Sequence, residues 1–183
     1  MPGPTGTWWN QRKGICKYTL TFTGIASHAG VNPDKGASAI NEFIRWGEKI
    51  IALADRAAGT TVNIGLVQGG TAANVVAAQC RCVIDVRIEK SSEGERIDRA
   101  IRELAAHPFD DRVKVQVEGG VARPPMRPTE KSLAFCRLAE QVAQKEGISF
   151  QWQAAAGEAM ATSPPPGIPP WMAWAPLEAM AMR

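Results

Sequence analysis

The sequence predicts an α+β chain. Its main part is a ferredoxin-like β-α-β-β-α-β unit, one antiparallel sheet with two helices packed on one face. Three observations predict it. Four stretches alternate apolar and polar residues with a period of two, as strands with one buried face do. Two other stretches carry apolar residues at helical spacing. The order along the chain is strand, helix, strand, strand, helix, strand. A sheet with one apolar face and helices with one apolar stripe bury each other in two layers.

Each element has its own signal. Residues 17–23, KYTLTFT, alternate Tyr18, Leu20 and Phe22 with threonines. Residues 35–57 read as a helix with Ala37, Ile40, Ile44, Gly47, Ile51 and Ala54 on one stripe, Pro33-Asp34 at its start and Gly59 at its stop. Residues 61–67, TVNIGLV, alternate through Val62, Ile64 and Leu66, and QGGTAA follows as a turn-rich loop. Residues 79–88 set Cys80, Cys82, Ile84, Val86 and Ile88 on one face and Gln79, Arg81, Asp85 and Arg87 on the other. Ser92 with Glu95 predicts a capping box. The helix behind it turns Ile97, Ala100, Ile101 and Leu104 inward and ends near His107-Pro108. Residues 112–118, RVKVQVE, alternate through Val113, Val115 and Val117.

This unit occupies residues 14–120. The proline-rich stretch 121–128 reads as a linker. Thr129 to Glu146 then read as a helix with Leu133, Leu138 and Val142 among its apolar positions, and ISFQW as a strand. A lone helix and strand cannot make a core, so 129–152 are read as an incomplete α/β segment.

Composition narrows the function classes. A net charge of +3 with scattered Lys and Arg does not argue for nucleic acid. No run is long and apolar enough to span a membrane. No apolar signal core follows Met1, so nothing marks secretion. Cys80 and Cys82 form a C-x-C without a second ligand pair, and with Cys16 and Cys136 they are read as reduced, buried thiols in a cytoplasmic setting.

Few residues carry chemistry. The histidines are His28 and His107. His107 precedes Pro108 at a helix end, where a histidine suits the helix dipole. His28 lies in GIASHAGVNPDKG, directly after the first strand and among glycines that permit tight turns. Asn74 follows Gly69-Gly70 and suits a turn as well as a ligand. Arg87 ends a strand beside Asp85, where a solvated ion pair is the ordinary expectation.

Together these pieces are more specific. TFTGIASHAGVNPDKGASAI followed by GLVQGGTAANVVAAQCRCVIDVRI resembles the lid, or dimerisation, domain of the glutamate carboxypeptidase and aminoacylase family of zinc exopeptidases. The matching positions are Gly24, His28-Ala29-Gly30, Pro33, Gly36, Ala39, Gly69-Gly70, Asn74-Val75-Val76 and Asp85-Val86-Arg87. One position departs: Ala77 stands where the family usually has proline.

The resemblance implies roles. His28 is expected to reach across a dimer into the partner's active site, as a donor to substrate and developing oxyanion. Asn74 and Arg87 are expected to hold the substrate's carboxylate, a task that suits the planar guanidinium fork. The lid is expected to carry the homodimer contact, with strand 61–67 as candidate edge. Zinc belongs to the intact parent enzyme, and none is expected in this chain. Most of the family's ligands precede the lid, its last histidine ligand lies near the C-terminus, and no histidine follows His107 here. Zinc catalysis needs three or more protein ligands and an activated water.

The ending, ATSPPPGIPPWMAWAPLEAMAMR, has no apolar period. Trp and Met have single codons, so a one-base shift can be read from protein. Trp171-Met172 then gives Asp, Met172-Ala173 gives Gly, Ala173-Trp174 allows Leu, Trp174-Ala175 gives Gly and Ala175-Pro176 allows Ala. The family has Asp-Gly-Leu-Gly-Ala there. Ala181-Met182 allows the missing His. Residues 153–183 are accordingly read as a frameshifted tail, or else a disordered one.

The chain is therefore expected to be a piece of a zinc-dependent carboxypeptidase or N-acyl amino acid deacylase, inactive alone, with its lid mediating homodimerisation. The alternative is a stand-alone ferredoxin-like module that binds small molecules for regulation, a picture in which the His-Ala-Gly loop has no role. An RNA-binding sheet is disfavoured, because Tyr18 and Phe22 share the core face with Leu20.

Overall fold

The computed structural model describes residues 5–155. Two compact units emerge, Gly14–Pro125 and a second made of the described residues on either side of it, 5–13 with 126–155.

The larger unit is α+β and ferredoxin-like. Its strands are β2 (Gly14–Thr23), β3 (Thr61–Gly69), β4 (Gln79–Ile88) and β5 (Lys114–Arg123). They form one antiparallel sheet in the order β3-β4-β2-β5. Helices α1 (Ala39–Ile51) and α2 (Ser91–Ala106) supply its second layer. Cys16, Tyr18, Leu20 and Phe22 of β2 and Cys80, Cys82, Ile84, Val86 and Ile88 of β4 are buried together. Against them lie Trp46 and Ile50 of α1 and Ile97 and Ile101 of α2. The Phe22 ring meets Trp46 edge-on at 5.2 Å and Phe43 at 5.9 Å.

Several expectations change in detail. Residues 35–57 are not one helix. Pro33–Lys35 make a single 3-10 turn, and α1 starts only at Ala39, with the Ser38 side chain accepting the Asn41 amide as its cap. The helix ends at Ile51, and Gly59 serves a later turn with φ +76°. Its buried face is Ala39, Glu42, Trp46, Gly47 and Ile50. Ile44 and Ile51, assigned to the core stripe, are 56% and 60% exposed. Leu66 also leaves the core side. A bulge between Ile64 and Leu66 sets Ile64 opposite Ile84, Leu66 opposite Val83 and Val67 opposite Cys82, so the alternation changes phase at Gly65. The Ser92–Glu95 capping box does not form: α2 begins at Ser91 behind Lys90, with no side-chain cap.

β5 runs to Arg123, into the stretch read as linker. Gly119 lets it lie against β2. Its φ is +97°, and a Cβ there would run into the Lys17 carbonyl.

In the second unit, β1 (Thr5–Arg12) pairs in parallel with β6 (Ser149–Ala155). The sequence reading gave β1 no element, and it left the 149–152 strand without a partner. β6 extends to Ala155, three residues into the segment read as tail; the remainder of that segment, from 156, lies outside the described residues. Helix α3 (Glu130–Lys145) opens with a reciprocal cap between Thr129 and Ser132. Its Leu133, Leu138 and Val142 are exposed. Among the described residues no helix is long and apolar enough to cross a membrane.

Candidate functional site

The end of β2 and the loop before β4 are laced together. A Cβ on Gly24 would run into the Ala37 carbonyl, so the chain can leave β2 against residue 37 only with glycine here. Gly24 N–H donates to Ala78 O at 2.8 Å, and Ile25 and Ala37 exchange backbone hydrogen bonds of 2.9 Å. Farther along, Val76 N–H donates to Ser27 O and Ala29 N–H to Asn74 O, both at 2.9 Å. His28 stands opposite Val75 in this short ladder. Two loops far apart in sequence thus bring His28 and Asn74 side by side, both exposed. Ala77 holds the same region, since its carbonyl accepts the Ala39 amide at 2.8 Å.

His28 is held by its own turn. Val31 and Asn32 donate to its carbonyl at 3.2 and 2.9 Å. The Gly30 and Val31 amides both donate to its Nδ1 at 3.2 Å.

Arg87 is elsewhere. It sits at the far end of β4, opposite Thr61 of β3 and Ile15 of β2. Eight residue steps along the strand separate it from Gln79, roughly 26 Å at 3.3 Å per residue. Its guanidinium binds Asp85 through two bonds, Nε to Oδ1 at 2.7 Å and Nη2 to Oδ2 at 3.1 Å. Both side chains are partly covered, at 26% and 31% exposure. Within one chain Arg87 does not join His28 and Asn74.

A cleft of about 860 Å³ lies beside the joined loops. Ser38 and Glu42 of α1, Gly70 and Val75 of one loop, and Phe109 and Arg112 of another help to line it. The sequence reading missed Glu42. It is 2% exposed, and its carboxylate accepts from Trp46 Nε1 at 3.0 Å, Phe109 N at 2.7 Å and Asp110 N at 3.0 Å. The available signal was its spacing, three residues after Ala39 and four before Trp46, on the true core face.

The thiols are free and buried. Burial pushes Cys16 up to about 11 and Cys82 up to about 12, and raises Cys80 as well. Such thiols stay protonated and are poor nucleophiles or ligands. Among the described residues no group of three or more His, Cys, Asp or Glu could hold a metal ion. The described residues do not fit a zinc site.

Comparison with known proteins now decides the family. The model of the peptidase dimerisation domain of M20 peptidases matches residues 10–113. The chain belongs to this family. An indole-3-acetyl-aspartic acid hydrolase from Enterobacter agglomerans is 34% identical over 90 residues, covering 49% of this chain and 20% of the hydrolase. An acetylornithine deacetylase from Myxococcus xanthus is 33% identical over 103 residues, covering 50% of this chain and 27% of the deacetylase. The chain thus spans between a fifth and about a quarter of the length of these curated relatives. The crystal structure of aminopeptidase PepT from Bacillus cereus superposes with a TM-score of 0.68 at 23% identity, over 86% of this chain and 42% of that one. That likeness is one of fold. It extends beyond the matched dimerisation domain.

Proposed function

We propose that this peptidase dimerisation domain pairs with a second copy along β3 and presents His28, Asn74 and Arg87 to a small substrate bearing a free carboxylate. One observation carries the proposal: His28 and Asn74 are fixed side by side on laced loops, next to the end of a sheet whose β3 edge has no neighbour strand among the described residues.

The topology supplies the rest of the argument. Two β3 strands pairing antiparallel about Gly65 would bring one copy's Gly69 end beside the other's Thr61. Arg87 lies directly behind Thr61. Strands are about 4.8 Å apart, so the start of the partner's loop after Gly69 would come within roughly 10 Å of Arg87. The carboxylate site would then be shared between copies, with Arg87 exchanging Asp85 for the ligand. Helix α1 lies over β3 where Gly47 faces Ile64. The exposed Ile44 and Ile51 on this helix would be covered by the same contact, as apolar residues at a stable interface are.

The parent reaction in this reading is hydrolysis of an amide bond beside a free carboxylate, with zinc as the catalytic metal. Because the described residues do not fit a zinc site, the chain by itself is proposed to bind and dimerise without hydrolysing. The free, buried thiols fit a reducing, cytoplasmic setting.

Light scattering on the eluting chain tests the pairing. The expected mass is twice 19.7 kDa. Joint replacement Ile44→Glu and Ile51→Glu, at positions exposed in one copy, should give a folded monomer. A parent chain that stays monomeric at high micromolar concentration would sink the proposal.

A further inference from the structure

We infer that the turn following His28 locks its imidazole in the tautomer with hydrogen on Nε2. His28 then becomes a one-way hydrogen-bond donor toward an oxygen acceptor, and is excluded as a metal ligand or general base. The inference rests on the reading of His28 as a substrate contact and deepens it.

A neutral imidazole has one donor and one acceptor nitrogen, and the partner of one fixes the role of the other. Here two backbone amides, Gly30 and Val31, converge on Nδ1 at 3.2 Å. A proton on Nδ1 would point at both. The amides cannot easily turn away, because the turn is tied by Val31 and Asn32 to the His28 carbonyl and by Ala29 to Asn74. The proton therefore resides on Nε2.

Three chemical consequences follow. Nε2–H can donate to a carboxylate, a carbonyl or a developing oxyanion. Nε2 has no lone pair for a metal ion, whose binding would force the proton onto Nδ1 and break both amide contacts. The same displacement is needed before Nε2 can accept a proton as a base. Gly30 and Val31 are thus positioning residues acting through backbone rather than side chain.

Nitrogen-15 NMR of the full chain at about pH 8.5, above the ordinary imidazole range, reads the tautomer directly. The chain has two histidines, so the variant His107→Gln assigns the signals. The expected result is a pyrrole-type Nε2 carrying hydrogen and a pyridine-type Nδ1 for His28, unchanged when zinc ion alone is added. An Nδ1–H tautomer, an averaged mixture, or loss of the Nε2–H signal on adding zinc would overturn the inference. The readout is independent of dimerisation. A monomer with the Nε2–H tautomer defeats the proposed pairing and leaves this inference standing; a dimer with the Nδ1–H tautomer does the reverse.

Discussion

Glu42 shows what a single buried carboxylate does here. It ties α1 to the 108–112 loop through the Phe109 and Asp110 amides, and accepts a third N–H from Trp46 of its own helix. Replacement by Gln keeps the size but sets an NH2 group against an amide donor. An unsatisfied buried donor costs about 2 kcal/mol. Glu42→Gln should therefore lower the thermal midpoint by several degrees; an unchanged midpoint would mean that the network contributes little. Glu93 makes a pH-dependent counterpart. It accepts from Thr60 Oγ1 at 2.6 Å and pairs with Arg96 through both oxygens. The Arg96 and Thr60 hydrogen bonds lower it from 4.5 to about 2. A lowered carboxyl favours the fold above its unfolded value, and that contribution fades as pH falls from about 4.5 to about 2. Denaturant titrations should show this decline in the parent chain and a flatter profile in Glu93→Gln. At this scale the sequence was partly legible. His28 and Asn74 stood out through a motif resemblance, and the structure brings them together. Glu42 and Glu93 did not, because the roles of these carboxylates depend on the Phe109 and Asp110 amides and on Thr60, partners distant in the chain.

At the scale of elements, period-two alternation located the sheet well. β4 follows its predicted faces throughout, since both its neighbours are strands and its core face is fully covered. β3 obeys alternation only to Ile64, because a bulge changes the phase of one edge strand without changing its composition. Helix α1 misled for another reason. Its isoleucines fall on both sides, and only the packing of Trp46 against Phe22 shows which side is core. Ile44 and Ile51 are apolar but exposed, and periodicity alone cannot separate such residues from a core. β1 was invisible since its partner, β6, lies at the other end of the described chain. Gly119 offers a test of the β2–β5 pairing. Gly119→Ala adds a Cβ toward the Lys17 carbonyl in a left-handed backbone. Left-handed geometry alone costs a non-glycine residue about 1–2 kcal/mol. The urea midpoint should fall with little change in slope; an unaltered midpoint would contradict the register at Lys17 and Gly120.

At the scale of the whole molecule, the β3 edge is proposed to be the seam between two copies. A nine-residue edge that no other described strand covers is a template for a further strand. An isologous contact pairs the same surface on both copies, so residues near the two-fold axis meet themselves. A single added cysteine near that axis should therefore bond to its own counterpart. Directly opposed antiparallel residues are about 4.5–5.5 Å apart between Cα atoms, within the range of a disulfide. The native thiols are buried and should stay silent. The decisive measurement is a cysteine walk along β3 from Asn63 to Gln68, scored as cross-linked dimer under mild oxidation. Pairing along β3 should give efficient cross-linking at one position near Gly65, falling away on both sides, and none for a cysteine at Thr19 on the inner strand β2. Absence of cross-links along β3, or equal cross-linking at every position, would contradict it.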